Sequence, residues 1–407
     1  MARKRRTRIN CSSLLIRVRS VALLSMLVAS TASGWAQGRL GAGFHLQHED
    51  MAVLKSGEPR ADFSCRVIPD KPELGFDLRF HADYRVIVPI KALADAGSRL
   101  GVLLRVTPAA DIERPVYLGS RFTIPDVSLG AKGEAMLAGG FDIGFGHYQV
   151  DWMMRDGRGR VCSSHWELDA RQGHDKRDLP LALEPNMVAQ RVEGTFGDEP
   201  FVEKAATKPL HLKILLNLSP VKPRESFLKP EDAIVLLSIL RSIIHEPGVR
   251  RFTLVAFNVR EQRIIYRQDN AEKIDFAAIG KAVQAPTAGT VNYHLLQDKQ
   301  SETHFITKLL TDQLGPQTVS PDAIIIVGPK VTLEKKVPLD PLKQRGATSS
   351  PIFYLNYNSN PIDEPFHDTI GSALKAYRGA FSYNIVLPRD LGSAIRDMLF
   401  RMGKQPT

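Results

Sequence analysis

The sequence contains little cysteine and no apolar run as long as a membrane span. Its three cysteines, in 407 residues, do not stand at metal-ligand spacing, which argues against a structural zinc site. The longest apolar runs after residue 36 are the size of β-strands, well short of the ~20 residues that a transmembrane helix requires. Neither a phosphate-binding glycine loop nor a Gly-x-Ser-x-Gly motif occurs. The usual signatures of nucleotide-binding and serine-hydrolase sites are therefore absent.

Acidic residues are missing from the first 36 positions, whereas seven basic residues occur there. The formal charge of the whole chain is +10, from 54 basic and 44 acidic residues. Without those seven, 47 basic residues face 44 acidic ones, which leaves +3 for the rest of the chain. The remaining basic residues are interspersed with acids. This balance argues against a surface that tracks nucleic-acid phosphates.

The first 36 residues have the layout of a secretory signal peptide. A basic front is followed by an apolar run at 21–28 and then by small residues up to Ala36. This order predicts export to the periplasm or the extracellular space, with cleavage after Ala36 and no stable membrane span afterwards. The alternative is a single membrane anchor, although the apolar run is short for one. Cys11 lies before the apolar run, where a lipid-attachment cysteine is not expected.

Two cysteines remain after the predicted cleavage, Cys65 and Cys162, and both fall in the same predicted domain. In an exported chain such a pair is more often bridged than free. We therefore predict a disulfide between Cys65 and Cys162. The alternative is two buried thiols that pack as small hydrophobic groups.

Residues 37–60 show no sustained periodicity and are predicted to form a flexible lead-in. They contain a cluster of potential cation ligands, namely His45, His48, Glu49 and Asp50. No apolar helix face holds this cluster in place. We therefore interpret it as part of a solvated segment rather than as a metal site.

Residues 61–185 are predicted to form a β-sandwich with immunoglobulin-like character. Short segments alternate between apolar and polar residues and are bounded by Pro, Gly or Asp, as is typical of antiparallel strands. Seven or eight such strands predict two packed sheets. The predicted strands are 63–68, 74–81, 84–89, 101–107, 116–124, 134–141, 148–155 and 160–168, with 179–183 as an added one.

The segment at 146–150 resembles the tyrosine corner of immunoglobulin-like domains, with Tyr148 as its tyrosine. Val150 stands where antibody domains carry their second cysteine, so the usual bridge of that family is not expected. Trp152 and Trp166 fall on the two neighbouring strands that follow. We predict that both pack in the core, with a ligand-stacking role as the alternative.

Residues 186–208 are polar and broken by proline and glycine, which predicts a linker. From 209 to 403 strands and helices alternate, a pattern typical of a doubly wound, Rossmann-like α/β domain with a mostly parallel sheet. The apolar run LHLKILLNLSPV at 210–221 is its predicted first and central strand. Strands are predicted at 210–216, 251–257, 262–267, 322–327, 352–356 and 383–387, and helices at 230–245, 273–283, 301–314, 364–377 and 391–402.

This order of elements, including the early hairpin strand at 262–267, resembles the von Willebrand factor type A domain over residues 210–402. In that family an Asp-x-Ser-x-Ser loop follows the first strand. A threonine and an aspartate from two later loops join it, and together they hold a divalent cation at a metal-ion-dependent adhesion site. The resemblance therefore places the candidate binding loop directly after the central strand.

Both carboxylates of the adhesion site are absent when the motif is matched position by position. Asn217 takes the place of the aspartate, Ser219 that of the first serine and Val221 that of the second. Thr290 matches the threonine, and Val327 takes the place of the later aspartate. Asn217, Ser219 and Thr290 are thus the candidate residues of a degenerate site. We expect no cofactor and no tight Mg²⁺ or Ca²⁺ binding.

The sequence as a whole predicts an exported, non-enzymatic binding, adhesion or envelope scaffold protein that contacts a protein partner. One alternative is a type A domain that binds a divalent cation weakly. Another is a hydrolase-type enzyme in which Ser219 works with His294 or His304, although Pro220 offers no backbone N–H for an oxyanion site. Ligands of open α/β sheets gather at the carboxyl ends of the parallel strands. The loops expected there are 217–229, 258–262, 285–300 and 328–350.

Overall fold

The structure is a computed structural model of the chain. It describes residues 48–94, 96, 99–124, 132–171, 179–191, 196–197, 209–221, 225, 228–284, 300–316, 319–344, 349–357 and 367–403. The predicted signal peptide and Thr290 lie outside these residues. Two sheets form a β-sandwich, and a third, six-stranded sheet has helices on both faces. The chain is therefore a multidomain, sheet-rich protein, in agreement with the predicted sandwich followed by an α/β unit.

The sandwich consists of two antiparallel sheets. One has the strand order β1-β3-β6-β9, with β2 paired to β3, and the other has the order β5-β4-β7-β8. Most predicted strands are present, but 74–81 and 84–89 are replaced by a two-residue strand and one long strand. The strands are β1 (Arg66–Pro69), β2 (Glu73–Leu74), β3 (Phe80–Pro89), β4 (Arg99–Pro108), β5 (Val116–Thr123), β6 (Glu134–Ile143), β7 (Gly146–Asp156), β8 (Val161–Ala170) and β9 (Val188–Gln190).

The core between these sheets follows from the two-residue alternation of the strands. Every second residue of β3 is buried, and Tyr148 and Trp152 of β7 face the same core from the opposite sheet. Trp152 is fully buried, and Trp166 packs against the same core. The ring of Tyr84 lies 6.1 Å from each of them. The predicted core role of both tryptophans is confirmed.

Tyr148 has the contacts that the resemblance to a tyrosine corner implies. Its hydroxyl donates a hydrogen bond to the carbonyl of Gly144, 2.9 Å away, and lies 3.2 Å from the carbonyl of Met187. Burial raises the pKa of Tyr148 to about 12, while hydrogen bonds with the backbone of Gly144 and Asn186 act in the opposite direction. The hydroxyl is therefore neutral and ties the start of β7 to the segment before β9.

The structure joins Cys65 and Cys162 in the predicted disulfide, with their Cα atoms 6.3 Å apart. Cys65 directly precedes β1, and Cys162 lies on the edge strand β8. An isolated bridge between Ala61 and Cys162 adds main-chain pairing at the same border. This side of the sandwich is thus closed covalently and by hydrogen bonds.

Two sequence predictions around the sandwich are corrected by the structure. Where a flexible lead-in is expected, His48–Ser56 form helix α1, because Val53 and Leu54 bury against β4 and β7 and Asp50 pairs with Arg155. The strand predicted at 179–183 is not formed. Instead Val188–Gln190, within the predicted linker, pairs with the end of β6.

The α/β unit contains six strands in the order β12-β11-β10-β13-β14-β15. All neighbouring pairs are parallel except the hairpin of β11 and β12. The strands are β10 (Leu210–Asn217), β11 (Val249–Asn258), β12 (Arg263–Ala271), β13 (Ala323–Pro329), β14 (Ile352–Tyr357) and β15 (Ala380–Ile385). The helices that follow α2 (Ile90–Ala94) are α3 (Pro230–His245), α4 (Phe276–Gln284), α5 (Ser301–Leu314), α6 (Leu339–Gln344), α7 (Thr369–Leu374) and α8 (Pro388–Gly403).

The central strands are apolar on both faces because helices cover both sides of the sheet. Ile214 of β10 pairs with Ile325 of β13, as the sequence predicts for neighbouring central strands. Helices α3, α4 and α8 pack on one face and α5 and α7 on the other. Among the described residues, no helix is long and apolar enough to cross a membrane.

The turn between β2 and β3 carries apolar side chains from the sandwich into the α/β unit. Leu78 is buried in the core formed by α3, α8 and the sheet. The ring of Phe76 meets the ring of Tyr357 edge-on, with centroids 5.9 Å apart. The hydroxyl of Ser242 on α3 donates to the carbonyl of Phe76 at 2.7 Å. These contacts dock the sandwich beside the carboxyl end of β14.

Candidate functional site

The central strand β10 ends at Asn217, at the carboxyl edge of the α/β sheet. The Asn217 side chain is buried, and its amide Nδ2 donates to the carbonyl of Pro329 at the end of β13, 3.3 Å away. Its oxygen Oδ1 accepts from the backbone N–H of Ser219 at 3.1 Å and from the Ser219 hydroxyl at 2.5 Å. Every polar atom of the amide group thus has a partner within the protein.

Ser219 continues this network toward the neighbouring strand. Its hydroxyl oxygen accepts a hydrogen bond from the backbone N–H of Val259, just after β11, at 2.8 Å. The N–H of Leu218 donates to the carbonyl of Phe257 at the same distance. Asn217 and Ser219 therefore tie together the ends of three strands, β10, β11 and β13. Such side-chain bonds to the backbone stabilise a turn where the sheet pairing stops.

Two further matched positions of the resemblance, Val327 and Val221, contact the core. Val327 is fully buried among apolar residues of β10, β14 and α3, and Val221 packs partly against the same cluster. The residue after Val327, Gly328, has a φ of +154°. A Cβ atom there would lie 2.4 Å from the Cβ of Asn217. Glycine is needed at this position because β13 passes directly against the Asn217 side chain.

The loop between β11 and β12 is held by a second asparagine. The Oδ1 of Asn258 accepts from the backbone N–H groups of Arg260 and Glu261 at 2.9 and 3.2 Å. Arg260 then reaches the carboxylate of Glu302 at the start of α5, with one nitrogen 2.9 and 2.8 Å from the two oxygens. The loop and the helix are therefore joined by a partly buried ion pair.

The segment that follows β13 lies across this edge and is fixed at several points. The hydroxyl of Thr303 on α5 donates to the carbonyl of Lys335 at 3.3 Å. On the other side, Thr369 at the start of α7 forms two hydrogen bonds with this segment. Its N–H donates to the carbonyl of Val331, and its hydroxyl oxygen accepts from the N–H of Leu333. The side chains of Lys335 and Lys336 are exposed. Neither forms an ion pair within the part of the chain that the structure describes.

Two polar residues at this edge were not predicted as site residues, Asn356 and Asp368. Asn356 is a buried residue near the end of β14, paired in register with Gly328. Asp368 directly precedes α7 beside Tyr354. Burial raises the pKa of Asp368, against the opposing influence of the Gly371 N–H and the Tyr354 hydroxyl. No sequence signal marked Asp368, because the predicted helix at 364–377 included this residue, whereas the observed helix begins at Thr369.

Of the three predicted site residues, the structure brings Asn217 and Ser219 together, and Thr290 lies outside the described residues. Parts of the predicted loops 217–229, 285–300 and 328–350 are likewise outside them. Across the described ranges, no three His, Cys, Asp or Glu side chains gather as a set of metal ligands. The described part of the site therefore combines amide, hydroxyl and ammonium groups with the separate carboxylates of Glu302 and Asp368.

No protein-family model and no curated protein matches the chain. Among solved structures, it has a distant likeness to a family 2 glycosyl hydrolase from Bacteroides cellulosilyticus DSM 14838, at 9% identity and a TM-score of 0.19 over 78% of this chain. A second likeness is to the β-glucuronidase of Bacteroides uniformis, at 6% identity and a TM-score of 0.17 over 77% of this chain. The chain spans only 38% and 37% of the lengths of these proteins. Likeness at this level carries no argument about fold or function.

Proposed function

We propose that the chain is an exported, non-enzymatic binding protein whose α/β unit is of the von Willebrand factor type A kind. It contacts a protein partner through the carboxyl edge of its sheet, without a metal ion between them. The strand order, with one antiparallel strand after β11, supports the type A assignment. The disulfide supports an oxidising, exported setting.

The observation that carries the binding proposal is the fixed segment after β13. Bonds from α5 and α7 hold its backbone, so that Lys335 and Lys336 are presented from a preordered surface. A surface that is already ordered loses little conformational entropy on binding. Two ammonium groups that form no ion pair with the described residues favour a partner with carboxylates at the matching positions.

The metal-free form of the proposal rests on the closed bonding of Asn217 and Ser219. A hard cation such as Mg²⁺ needs oxygen ligands with free lone pairs, preferably charged ones. The Asn217 oxygen already accepts two hydrogen bonds, and no carboxylate stands at its position or at Val327. The same bonding argues against Ser219 as a nucleophile, since its hydroxyl donates to an amide oxygen rather than to a histidine base.

The test is capture of partners from the native envelope fraction with three forms of the protein. The wild-type chain is compared with Lys335→Glu/Lys336→Glu and with a control, Lys375→Glu/Arg378→Glu, which makes the same charge change near the opposite edge. We expect a partner that the control retains and the edge variant loses. A partner that both variants retain to the same extent would contradict the assignment of the edge.

Calorimetric titration with Mg²⁺ and Ca²⁺ tests the metal-free form separately. We expect no tight site in the wild-type chain. A micromolar dissociation constant that Ser219→Ala abolishes would show that the degenerate loop holds a cation after all.

A further inference from the structure

The turn between β2 and β3 is the part of the sandwich that reaches into the α/β unit. Leu78 of this turn is buried in the core of that unit, and the Phe76 ring meets Tyr357 at the carboxyl end of β14. The carbonyl of Leu78 also accepts a hydrogen bond from the N–H of Ala182 at 2.9 Å. The docking of the two units therefore depends on the shape of this turn.

The backbone of the turn is strained at its tip. Leu78 has a φ of +57°, a left-handed conformation that is unfavourable for a residue with a Cβ atom. Two hydrogen bonds close the turn, from the N–H of Gly75 to the carbonyl of Arg79 and from the N–H of Leu78 to the carbonyl of Gly75. A strained conformation persists only where the surrounding contacts hold it. Contacts across the base of the turn therefore help to keep Leu78 in its docked position.

Asp77 and His81 form a contact of this kind. The imidazole Nε2 of His81 lies 2.8 Å from the Asp77 carboxylate, and the same oxygen accepts from the N–H of Arg79 at 3.3 Å. A Cβ on Gly75 would overlap both the imidazole and the carboxylate. Gly75 thus lets the pair lie directly against the turn. The side chains of His81 and Asp77 are 29% and 15% exposed, so both groups exchange protons with water but are only partly screened by it.

Further charged groups lie around the pair on the outer face of the sheet. Two acidic residues, Glu73 on β2 and Asp142 on β6, are paired in register with His81. Arg79 of the turn and Arg191 after β9 lie 3.5 and 3.0 Å from the Asp142 carboxylate. The charged groups of the sandwich around the pair are thus Glu73, Arg79, Asp83, Asp142 and Arg191.

The α/β unit contributes mainly neutral groups to the turn. The Ser242 hydroxyl on α3 donates to the carbonyl of Phe76. The Tyr357 ring contacts Phe76, and its hydroxyl lies 3.3 Å from the carboxylate of Asp232. The charge on His81 is therefore governed by the sandwich, whereas its effect is transmitted to the α/β unit through Phe76 and Leu78.

Burial opposes both charges of the pair, since it lowers the pKa of His81 and raises the pKa of Asp77. The hydrogen bond between the two groups and their mutual attraction outweigh burial. Asp142 favours the charge on His81 and Arg191 opposes it, while Arg79 favours the charge on Asp77. The net result is that the pKa of His81 is raised above 6.5 and the pKa of Asp77 is lowered below 3.8.

These shifts define the pH range in which the pair stabilises the turn. Below pH 6.5 the imidazole is charged in the folded and in the unfolded chain, so its full contribution is present. The contribution is lost as the pH rises through the raised pKa of the folded state. The acid limit is far lower, because folded Asp77 keeps its charge below pH 3.8. The turn is therefore held most firmly in mildly acidic solution.

We propose that Asp77 and His81 form a pH-sensitive switch, in which loss of the His81 proton loosens the turn and weakens the docking of the sandwich on the α/β unit. A neutral imidazole still donates a hydrogen bond to Asp77, but a bond without charge assistance is about half as strong. Leu78 then loses part of the support for its strained conformation. The change reaches α3, α8 and the end of β14, which the turn contacts.

The experiment compares the full exported chain with His81→Gln, which keeps a neutral donor but cannot be protonated, and with Asp77→Asn. His147→Gln is the matched control, because His147 pairs with Asp169 at 3.4 Å at an exposed site on the other sheet. Urea unfolding is followed at pH 6 and at pH 9. Tryptophan fluorescence reports the sandwich, and the helical signal in circular dichroism reports mainly the α/β unit. Units that are firmly docked unfold together, so the two midpoints coincide.

We expect coincident midpoints in the wild-type chain at pH 6 and separate ones at pH 9. His81→Gln and Asp77→Asn should show separate midpoints at both pH values, and the control should behave as the wild-type chain does. Any other group that titrates in this range is common to all of these proteins, so they are compared with one another at each pH.

Amide exchange gives a local measurement, since the N–H groups of Leu78 and Ala182 are both bonded within the docked turn. Their protection, corrected for the intrinsic effect of pH, should fall about fivefold from pH 6 to pH 9 in the wild-type chain. It should stay low and constant in His81→Gln. The wild-type comparison needs no substitution, so the proposal stays testable where a variant fails to fold.

Three results would overturn the proposal. One is protection of Leu78 and Ala182 that does not change between pH 6 and pH 9 in the wild-type chain. Another is the same pH dependence in His81→Gln as in the wild-type chain, which would assign the effect to a different group. The third is a loss of protection while the two midpoints still coincide, which would confine the effect to the turn and leave docking unchanged.

Discussion

Strand β5 at the border of the sandwich and the carboxyl edge of the α/β sheet are both places where strand pairing ends in the described chain, but their backbone groups have different surroundings. At the α/β edge, the side chains of Asn217, Ser219 and Asn258 form hydrogen bonds with backbone groups that lie at or beyond the end of the sheet pairing. Along β5, the described chain shows backbone pairing with β4 on one side of the strand. One border is thus closed by short polar side chains, and the other shows pairing with a single neighbouring strand within the described residues.

This difference determines how each border can bind a partner. A closed border presents only side chains, here the lysines after β13, so charge and shape decide affinity. An open border presents main-chain donors and acceptors, so an extended segment binds with little dependence on most of its side chains.

The largest expected effect concerns the disulfide at the border of the sandwich. Replacing Cys65 and Cys162 together with alanine removes a link across 97 residues and should lower the free energy of unfolding by about 4 kcal/mol. Tryptophan fluorescence during urea unfolding reports this unit, since Trp152 and Trp166 both lie in it. Reductant should reproduce the effect in the wild-type chain and leave the double variant unchanged.

Gly328→Ala tests how closely the α/β edge is packed. The new Cβ would lie 2.4 Å from that of Asn217 at a positive φ, and we expect a loss of about 3 kcal/mol. The free energy of unfolding is measured from the helical signal in circular dichroism. Gly379→Ala is the control, because its φ is +82° and nothing lies within 4 Å. A loss no larger than that of the control would show that the contact with Asn217 is unimportant.

Removing the Asn217 amide tests whether hydrogen bonds close this edge. Asn217→Leu leaves the Ser219 hydroxyl and the Pro329 carbonyl without their partner, at a cost of about 2 kcal/mol. The same change at Asn384, which is exposed on β15, should be nearly neutral. If both variants unfold at the same urea concentration, the network contributes nothing to stability.

The smallest effect concerns Lys213, a buried charge on the central strand. Its ammonium group donates to the carbonyl of Gln313 at the end of α5, 2.9 Å away, and burial lowers its pKa from 10.5 to about 8. Between these values the unfolded chain holds a proton that the folded chain has lost, so stability rises with pH. From pH 7 to pH 9 the wild-type chain should gain about 1 kcal/mol relative to Lys213→Met. Parallel stability curves for the two proteins would contradict this assignment.

Much of the α/β unit was predictable because its elements are set by local patterns. The helices at Pro230–His245 and Ser301–Leu314 are confirmed at both ends, since their apolar stripes are regular. Proline and two carboxylates mark the first turn of the former. The strands of this sheet agree within a few residues, because buried parallel strands are continuous apolar runs.

Other features depended on contacts that are distant in sequence. Helix α1 was not predicted because only Val53 and Leu54 face the core, too few to make a visible period. The strand predicted at 179–183 has the right composition, but the hydrogen bonds of β6 are taken by Val188–Gln190 instead. Composition alone does not decide which of two nearby segments reaches a free strand edge.

The candidate site also has features that were predictable from the sequence and features that were not. Its position after the first strand, and the loss of both carboxylates, were readable from Asn217 and Val327. The closure by Ser219, Val259 and Pro329 was not, since these groups come from three strands whose order no local pattern determines.

The sequence by itself determined the two kinds of structural unit, the cysteine pair and the uncharged character of the loop after β10. These follow from residue type and spacing, which act over a few positions of the chain. Only the tertiary structure decided that Phe76 and Leu78 of the sandwich dock into the α/β unit and that Asp77 and His81 pair beside them. Such features arise where separate strands meet or fail to meet, and the free energy of those contacts depends on the whole fold.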